Sequence, residues 1–472
     1  MGVASQRDQE FGLNPAQYFD MSETRMHSMP RDELTELQLR LLRTRVEENR
    51  ERIPMLAKLA KKQGITSVDD FDAALPLFFD HYVYKSYPPS LLSSGRFDVL
   101  TRFVDKLSTK DLSSVNTAGC RSIDEWLDEL SSQAHLIPVT SSGTTGTMSF
   151  VPKTQADWDV FGETARISIL QDFGSPPGPE DTDEPVHGIW PTFADGYMTP
   201  FQCGKYFLKH MSRGKPGYSH PALPGRGSAD VMYLAGRMAA AEARGESPKV
   251  AIPGGLQGRI GELKKLKADT AKAKATYLVE LTTNLAGARV AGLSAWTFFH
   301  ELATMAAEIG VKCQFAPRSC IVSGGGGKGV VVPDNWQQFI EDFFGLPLRM
   351  AYSMSETVTL QTACDKGRIH LKPWVIPYVL DPDTSKPLPR SGVRKGRAAF
   401  FDLCASGFWG GVISGDEIEI DWSEICPCGR LTPHISLKIQ RFSEKQGGND
   451  KITCTATAAA HADAMDYLTT LS

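Results

Sequence analysis

The sequence has no long run of apolar residues. Its apolar stretches extend for only a few residues before a Lys, Gly or Asp interrupts them, whereas a membrane-spanning helix needs about 20. The N-terminal stretch also carries acidic side chains where a signal peptide would have its apolar core. We therefore expect a soluble cytoplasmic protein whose partners do not include a membrane.

An excess of one charge is also missing. The 472 residues include 51 basic and 55 acidic side chains, a formal net charge of −4, which argues against a nucleic acid as partner. With 41% hydrophobic and 22% charged residues, the composition is that of a globular protein. At roughly 100 to 200 residues per domain, the length allows two to four domains. Self-association into a homo-oligomer stays open.

Cysteine is scarce and odd in number, with nine residues in the chain. Without a secretory signal, these cysteines are expected to be reduced thiols rather than a disulfide framework. A Cys-Pro-Cys clip at Cys426 and Cys428 nevertheless follows Cys364 and His370. Three thiols and an imidazole are a common tetrahedral zinc donor set, so we predict a structural zinc site. The alternative is four unrelated core residues.

The chain divides into three regions. Residues 1–135 are predicted to be mainly helical, with the first 30 loosely ordered, a helix beginning at Pro54 and its end at Gly64. In residues 136–440, short apolar runs alternate with amphipathic helices, the pattern of an α/β fold. Residues 441–472 are too few for a conventional domain, and we expect a hinge with a shortened C-terminal segment.

One helix of the α/β region has clear predicted ends. Asp334 and Gln337 have capping-box spacing at its start, and Gly345 is placed to end it.

The segment 140–153 carries the strongest chemical signal and reads Thr-Ser-Ser-Gly-Thr-Thr-Gly-Thr-Met-Ser-Phe-Val-Pro-Lys. Glycines let the backbone turn tightly with converging N–H groups, and hydroxyls add donors around an anion, so we predict a phosphate cradle between two strands. It is not a P-loop, because no Lys-Ser/Thr and no helix follow the second glycine. A polar hairpin loop is the alternative. The predicted phosphate-binding residues are Ser141, Ser142, Gly143, Thr144, Thr145, Gly146, Thr147 and Lys153.

This loop resembles the phosphate-binding loop of the adenylate-forming superfamily, which includes the acyl-CoA synthetases, peptide-synthetase adenylation domains and firefly luciferase. Further motifs resemble that superfamily in the expected order. Residues 321–329, with Gly325 and Gly326, form an apolar run that ends in a glycine-rich turn; residues 351–356 read Ala-Tyr-Ser-Met-Ser-Glu; and residues 414–416 read Ser-Gly-Asp.

The resemblance implies a role for each motif. The glycine-rich turn would pass along the adenine, and the ring of Tyr352 would stack on the base. The neighbouring residues Ser353, Met354 and Ser355 would bring a hydroxyl to the α-phosphate. Glu356 would hold Mg²⁺, a hard cation that prefers oxygen ligands. Asp416 would accept hydrogen bonds from the ribose hydroxyls, with Arg441 near the same sugar.

Two further segments indicate which branches of the superfamily the sequence resembles most. The Cys-Pro-Cys-Gly-Arg segment is similar to the phenylacetate-CoA ligase-like enzymes, some of which carry a structural metal, and residues 447–454 look more like the acyl-protein synthetases of bacterial luminescence. In those enzymes a C-terminal cysteine accepts the acyl group, which makes Cys454 a candidate acceptor, with an inert thiol as the alternative. Asp450 would be the hinge acid.

No position matches the superfamily's C-terminal catalytic lysine. Either Lys451 or Lys153 would supply the charge instead, or the C-terminal tail would serve a partial role. The residues proposed to take part in catalysis are therefore Thr144, Thr145, Glu356 and Lys451.

The implied activity is ATP-dependent activation of a carboxylic acid as an acyl-adenylate, followed by acyl transfer to a thiol or amine. Coenzyme A, a carrier protein, Cys454 and a small amine are the candidate acceptors. The aromatic side chains in residues 186–202 suit an aromatic or aliphatic acid. Two other interpretations are a catalytically altered, zinc-containing nucleotide-binding protein and a phosphotransferase. An adenylate-forming enzyme that uses an unusual nucleophile is a variant of the implied activity.

Overall fold

A computed structural model describes residues 5–141, 147–172, 184–233, 260–324, 333–423 and 425–445. No helix within these ranges is both long enough and apolar enough to cross a membrane. The helices with described bounds are α1 (Gln6–Leu13), α2 (Pro15–Tyr18), α3 (Glu23–Met26), α4 (Arg31–Arg52), α5 (Pro54–Gln63), α6 (Phe71–Ala74), α7 (Ser90–Ser93), α8 (Phe97–Asp105), α9 (Ile123–Ala134), α10 (Gln155–Asp172), α11 (Thr199–Ser212), α12 (Ile260–Val279), α13 (Trp296–Ile309) and α14 (Trp336–Phe344).

The described strands fall into three sheets. They are β1 (Phe79–Asp80), β2 (Leu136–Thr140), β3 (Phe150–Thr154), β4 (His187–Phe193), β5 (Ser219–Leu223), β6 (Val290–Ala295), β7 (Cys320–Gly324), β8 (Leu348–Tyr352), β9 (Gln361–Thr362), β10 (Ile369–His370), β11 (Val375–Leu380), β12 (Val393–Asp402), β13 (Gly411–Asp421), β14 (His434–Ile435) and β15 (Gln440–Arg441). The predicted α/β class is confirmed.

The start of the chain is ordered, and the prediction that the first 30 residues are loose is wrong for residues 5–30. Three short helices, α1 to α3, bury Phe11, Phe19 and Met26. Phe19 lies 6.4 Å, centroid to centroid, from the ring of Trp374. Each helix is too short to show an apolar period, so the sequence pattern did not indicate burial.

The next helices follow the predicted punctuation. Helix α5 begins at Pro54 and ends where Gly64 adopts a left-handed conformation with φ of 66°. Helix α14 likewise ends at Gly345 with φ of 65°, but its predicted capping box is wrong. The helix begins one residue later than that box requires, with Asn335 as the N-cap residue and no side-chain cap.

The predicted phosphate loop connects two paired strands. Strands β2 and β3 are antiparallel, with Thr140 opposite Phe150 at the end that leads into the loop. The predicted strands on both sides of the loop are therefore confirmed.

A six-stranded sheet has the order β5-β4-β6-β7-β8-β9, parallel from β5 to β8 with an antiparallel edge at β9. The carboxyl ends of β7 and β8 therefore lie at one edge, the usual place for a ligand in such a sheet. A Cβ at Gly324 would lie 2.5 Å from the Ala351 carbonyl oxygen. Glycine is thus required where β7 approaches β8.

A seven-stranded sheet contains the order β10-β14-β13-β12-β11, and β1 and β15 also pair with β13. All its pairings are antiparallel except β1 with β13. Residues 79–80 of the N-terminal region therefore belong to a sheet built mainly from the last hundred or so described residues. The predicted boundaries at 135 and 440 stay predictions.

Candidate functional site

Asp416 is the centre of one part of the site. Strand β13 places it opposite Arg441 on β15, and Arg441 Nε lies 3.3 Å from Asp416 Oδ1. The backbone N–H of Asp416 donates to Ser414 Oγ at 2.9 Å. Asp416 is only 8% exposed, so its carboxylate is presented in a fixed orientation.

Tyr352 reaches the same carboxylate from the other sheet. It ends β8, and its hydroxyl donates to Asp416 Oδ2 at 2.8 Å. Burial and the nearby Asp416 charge raise the pKa of Tyr352 well above its usual value, which keeps the hydroxyl a donor. The structure thus brings together Tyr352, Asp416 and Arg441, three residues predicted to surround a nucleoside.

A second group of contacts joins three chain segments through hydroxyls. Thr199 Oγ1 lies 2.9 Å from Ser355 Oγ and donates to the Thr140 carbonyl at 3.2 Å. The Thr140 N–H in turn donates to the Tyr197 carbonyl at 2.9 Å. The entrance to the phosphate loop, the start of α11 and the residue before Glu356 therefore meet at one point.

The segment around Glu356 is held by a turn. Both the N–H and the hydroxyl of Thr357 donate to the Met354 carbonyl, each at 3.2 Å. Ser353 is exposed, whereas Met354, Ser355 and Glu356 are partly buried. Glu356, the predicted magnesium ligand, thus lies on a short turn next to the contact between Ser355 and Thr199.

The side chain of Lys153 contacts the turn that carries Glu356. Its ammonium is buried, donates to the Thr357 carbonyl at 2.6 Å and lies 4.8 Å from the centroid of the Trp158 ring. Burial lowers the pKa of Lys153, although the Cys203 thiol and the Asp157, Asp402 and Glu356 carboxyls oppose this effect. Lys153 therefore positions the Glu356 turn; its predicted contact with phosphate stays a prediction.

Asp402 holds the next residue of the same segment. Its Oδ2 accepts the Val358 N–H at 2.7 Å, and its Oδ1 accepts the Cys404 N–H at 3.0 Å. Burial raises the pKa of Asp402 to about 6. Sequence reasoning missed Asp402 and Thr199, because neither lies in a motif and both act through residues distant in the chain.

At the described edges of the phosphate loop, Ser141 Oγ accepts the Ser149 N–H at 3.1 Å, and Thr147 is partly buried. The other predicted site residues of three segments lie outside the described ranges: Ser142, Gly143, Thr144, Thr145, Gly146, Gly325, Gly326, Asp450, Lys451 and Cys454.

Most of the aromatic residues in 186–202 belong to the core. Trp190, Tyr197 and Phe201 are buried. The Tyr197 hydroxyl donates to Asp128 Oδ1 at 2.8 Å, which fixes its ring between α9 and α11. These contacts account for the aromatic residues by packing, and the predicted wall for an aromatic acid stays a prediction.

The four predicted metal ligands come together. The ligand atoms of Cys364, His370, Cys426 and Cys428 all lie within 4.8 Å of one another. Cys364 Sγ is 3.9 Å from Cys426 Sγ, and Cys428 Sγ is 3.3 Å from His370 Nε2. Two sulfurs on a tetrahedral zinc with bonds of about 2.3 Å would be about 3.8 Å apart. The spacing therefore fits a four-coordinate metal ion.

The pKa shifts of two of these residues bear on their form as ligands. Burial lowers the pKa of His370 to about 2, which leaves a neutral imidazole, the form that binds metals. Burial and the neighbouring thiols raise the pKa of Cys428 to about 12, and a bound divalent cation would reverse this shift by stabilising the thiolate. The eight cysteines in the described ranges are all free of disulfide bonds.

Two solved structures are similar to most of this chain. One is described as 2-hydroxyisobutyryl-CoA ligase in the postadenylation state with R3-HIB-AMP; it has 14% identity, a TM-score of 0.54, and a match covering 88% of this chain and 69% of its own. The same ligase with 2-HIB-AMP has 14% identity, a TM-score of 0.51 and coverages of 87% and 68%.

A third similarity is too weak to carry an argument. ATP-bound MatB from Rhodopseudomonas palustris has 16% identity, a TM-score of 0.33 and coverages of 63% of this chain and 47% of its own. No protein-family model matches the sequence, and no curated protein matches it significantly. At 14% identity, the two structures with TM-scores above 0.5 show that this chain shares their fold.

Proposed function

We propose that this protein is an AMP-forming ligase that activates a carboxylic acid with ATP and passes the acyl group to a thiol or amine. The observation that carries the proposal is the meeting of Tyr352, Asp416 and Arg441 at the carboxyl edge of the parallel sheet. Their motifs are far apart in the sequence, yet their side chains form one polar group. The similar fold of 2-hydroxyisobutyryl-CoA ligase, solved with R3-HIB-AMP and with 2-HIB-AMP, supports the proposal.

The ribose end of ATP would lie at Asp416. Its carboxylate is an acceptor-only group that suits two adjacent hydroxyls. Tyr352 and Arg441 hold that carboxylate in place, and the Arg441 guanidinium neutralises part of its charge.

The phosphate end would lie between the 141–147 loop and the turn that carries Glu356. Bringing a carboxylate to an ATP phosphate joins two anions, so the site must neutralise charge and fix the geometry. Loop N–H groups and hydroxyls would bind the phosphates, and Glu356 would hold Mg²⁺, which supplies charge neutralisation when bound. The contacts of Thr199, Lys153 and Asp402 hold this turn in position.

Coenzyme A is the first acceptor to test, because the two similar structures are named CoA ligases. A carrier protein, a small amine and Cys454 are the other candidate acceptors. We also infer that Cys364, His370, Cys426 and Cys428 hold a structural zinc, since a closed set of four protein ligands leaves no position for a reacting water.

The proposal predicts acid-dependent exchange of pyrophosphate into ATP. A panel of aliphatic, hydroxylated and aromatic acids should give exchange above the acid-free rate with at least one member, because adenylate formation is reversible. Formation of ADP in place of exchange would support a phosphotransferase. Tight ATP binding with no exchange on any acid would support the catalytically altered nucleotide-binding protein.

Asp416→Ala is expected to raise the KM for ATP by about 10- to 100-fold and to reduce the preference for ATP over 2′-deoxy-ATP. A hydrogen bond to a charged group contributes about 1.5–3 kcal/mol, and about 1.4 kcal/mol is a factor of ten. Exchange kinetics with both nucleotides provide the measurement.

Glu417→Ala is the matched control, because Glu417 is the next residue on β13 and binds Lys395 and Lys445 instead. It should lose ion pairs without changing the nucleotide preference. If Asp416→Ala used both nucleotides as the parent does, the ribose would not be bound at Asp416.

A further inference from the structure

A chain of buried polar groups leads from the N-terminal region to the proposed metal ligand His370. His370 Nδ1 lies 3.4 Å from Thr432 Oγ1, and Thr432 Oγ1 lies 2.6 Å from His27 Nδ1. His27 Nε2 lies 2.9 Å from Glu23 Oε1. All four side chains are at least 98% buried, with exposures of 2% for Glu23, 1% for His27, 1% for Thr432 and 0% for His370.

The far end of this chain is a satisfied carboxylate. Lys372 Nζ donates to Glu23 Oε1, and Ser168 Oγ donates to Glu23 Oε2 at 2.9 Å. The Glu23 N–H donates to Gln171 Oε1 at 2.7 Å. Although burial raises the pKa of Glu23, the Lys372 charge and the hydrogen bond from His27 outweigh it and hold that pKa well below its usual value. The carboxylate therefore stays ionised inside the protein.

If His370 bound a metal, the hydrogen bonds between His370 and Glu23 could have only one order of donors and acceptors. His370 Nε2 faces Cys428 Sγ, so with this nitrogen on the metal, Nδ1 must carry the hydrogen and donate to Thr432. The single hydroxyl hydrogen of Thr432 then goes to His27 Nδ1. His27 must carry its own hydrogen on Nε2, which donates to Glu23. Each hydrogen of this series then has one acceptor.

One backbone hydrogen bond and one from a side chain also join residues 27–31 to Leu431. The Leu431 N–H donates to the His27 carbonyl at 2.8 Å, and Arg31 Nε donates to the Leu431 carbonyl at 2.8 Å. The stretch 27–31 is thereby attached to the residues that follow the Cys-Pro-Cys clip.

We propose that Glu23, His27 and Thr432 are positioning residues of the metal site, which select the tautomer and orientation of His370 and thereby set the affinity for the metal. This inference rests on the zinc site of the proposed function. It also assigns the N-terminal residues 23–31 a role as part of that site, although the sequence separates them from the ligands by more than 300 positions.

Thr432→Val breaks the series of hydrogen bonds between His370 and Glu23 and changes the side-chain volume little. In the full-length protein, its affinity for Zn²⁺, measured by competition with a chromogenic chelator, should fall by about 10- to 100-fold, the usual effect of losing a group that orients a metal ligand. Thr432→Ser keeps the hydroxyl and should restore most of the affinity. The absorption spectrum of bound Co²⁺ should change in Thr432→Val and return toward the parent in Thr432→Ser.

Thr164→Val is the control for burying a valine in place of a threonine, because Thr164 is equally buried on α10 and donates to the Val160 carbonyl at 2.7 Å. It should leave Zn²⁺ affinity unchanged. Should Thr432→Val fail to fold, His27→Gln breaks the next link and should weaken Zn²⁺ binding by a similar factor. In the double variant the loss should be no greater than in either single variant, because both links lie in one series.

The titration of the parent protein separates the two proposals. A parent that binds no Zn²⁺ overturns the metal site and this inference with it. A parent that binds Zn²⁺ while Thr432→Val binds it equally well overturns the positioning chain alone.

Discussion

Glu356→Gln is expected to lower the rate of acyl-adenylate formation by about 10²- to 10³-fold, the range seen when a group that stabilises developing charge is removed. A carboxylate oxygen is the ligand that Mg²⁺ prefers, and a neutral amide binds it far more weakly. The structure presents Glu356 on a turn that Lys153 and Asp402 fix through the neighbouring backbone. Pyrophosphate exchange should therefore require higher Mg²⁺ concentrations, with the KM for ATP less affected than kcat.

The comparison with Asp416→Ala makes this result specific. Asp416→Ala should act mainly on the KM for ATP, and Glu356→Gln mainly on kcat. Glu308→Gln, an exposed change on α13, removes the same charge outside these motifs and should behave like the parent. Parent-like exchange by Glu356→Gln at every Mg²⁺ concentration would remove Glu356 from the metal site.

Cys428→Ser is expected to release the metal and to lower the apparent Tm by about 6 to 10 °C. Breaking one partner of a buried charged cluster costs about 3–5 kcal/mol, and in a large protein about 1 kcal/mol shifts Tm by about 2 °C. The clip connects β13 and β14 of the seven-stranded sheet with β10, which carries His370. Elemental analysis should find about one zinc per chain in the parent and much less in the variant.

A cysteine outside the cluster provides the control. Cys313 is buried in a separate apolar core, so Cys313→Ser introduces the same hydroxyl without touching a ligand. It should keep the zinc and lose less stability than Cys428→Ser. A parent that contains no zinc and is unaffected by chelators would rule out a structural metal.

The contact between Asp416 and Arg441 does not follow from any pattern in the sequence. The eight residues after Arg441 do not match the superfamily pattern cleanly, so its assignment near the ribose rested on resemblance. The pairing of β15 with β13 places Arg441 directly opposite Asp416. A short strand of two residues has no pattern that a sequence can display, which is why only the sheet could decide this contact.

The local motifs were determined by the sequence itself. The hairpin strands around the 141–147 loop, both ends of α5, the C-terminal end of α14 and the Cys-Pro-Cys clip follow from residue types at short spacing, because turns, helix ends and two-thiol clips depend on a few neighbouring residues. The fold brings Cys364 and His370 to that clip. Tertiary structure alone decided that Lys153 binds the Thr357 carbonyl and that Glu23 and His27 lie beside the proposed metal ligands. Such contacts join residues hundreds of positions apart, and their partners are chosen by how helices and sheets pack, which no local pattern encodes.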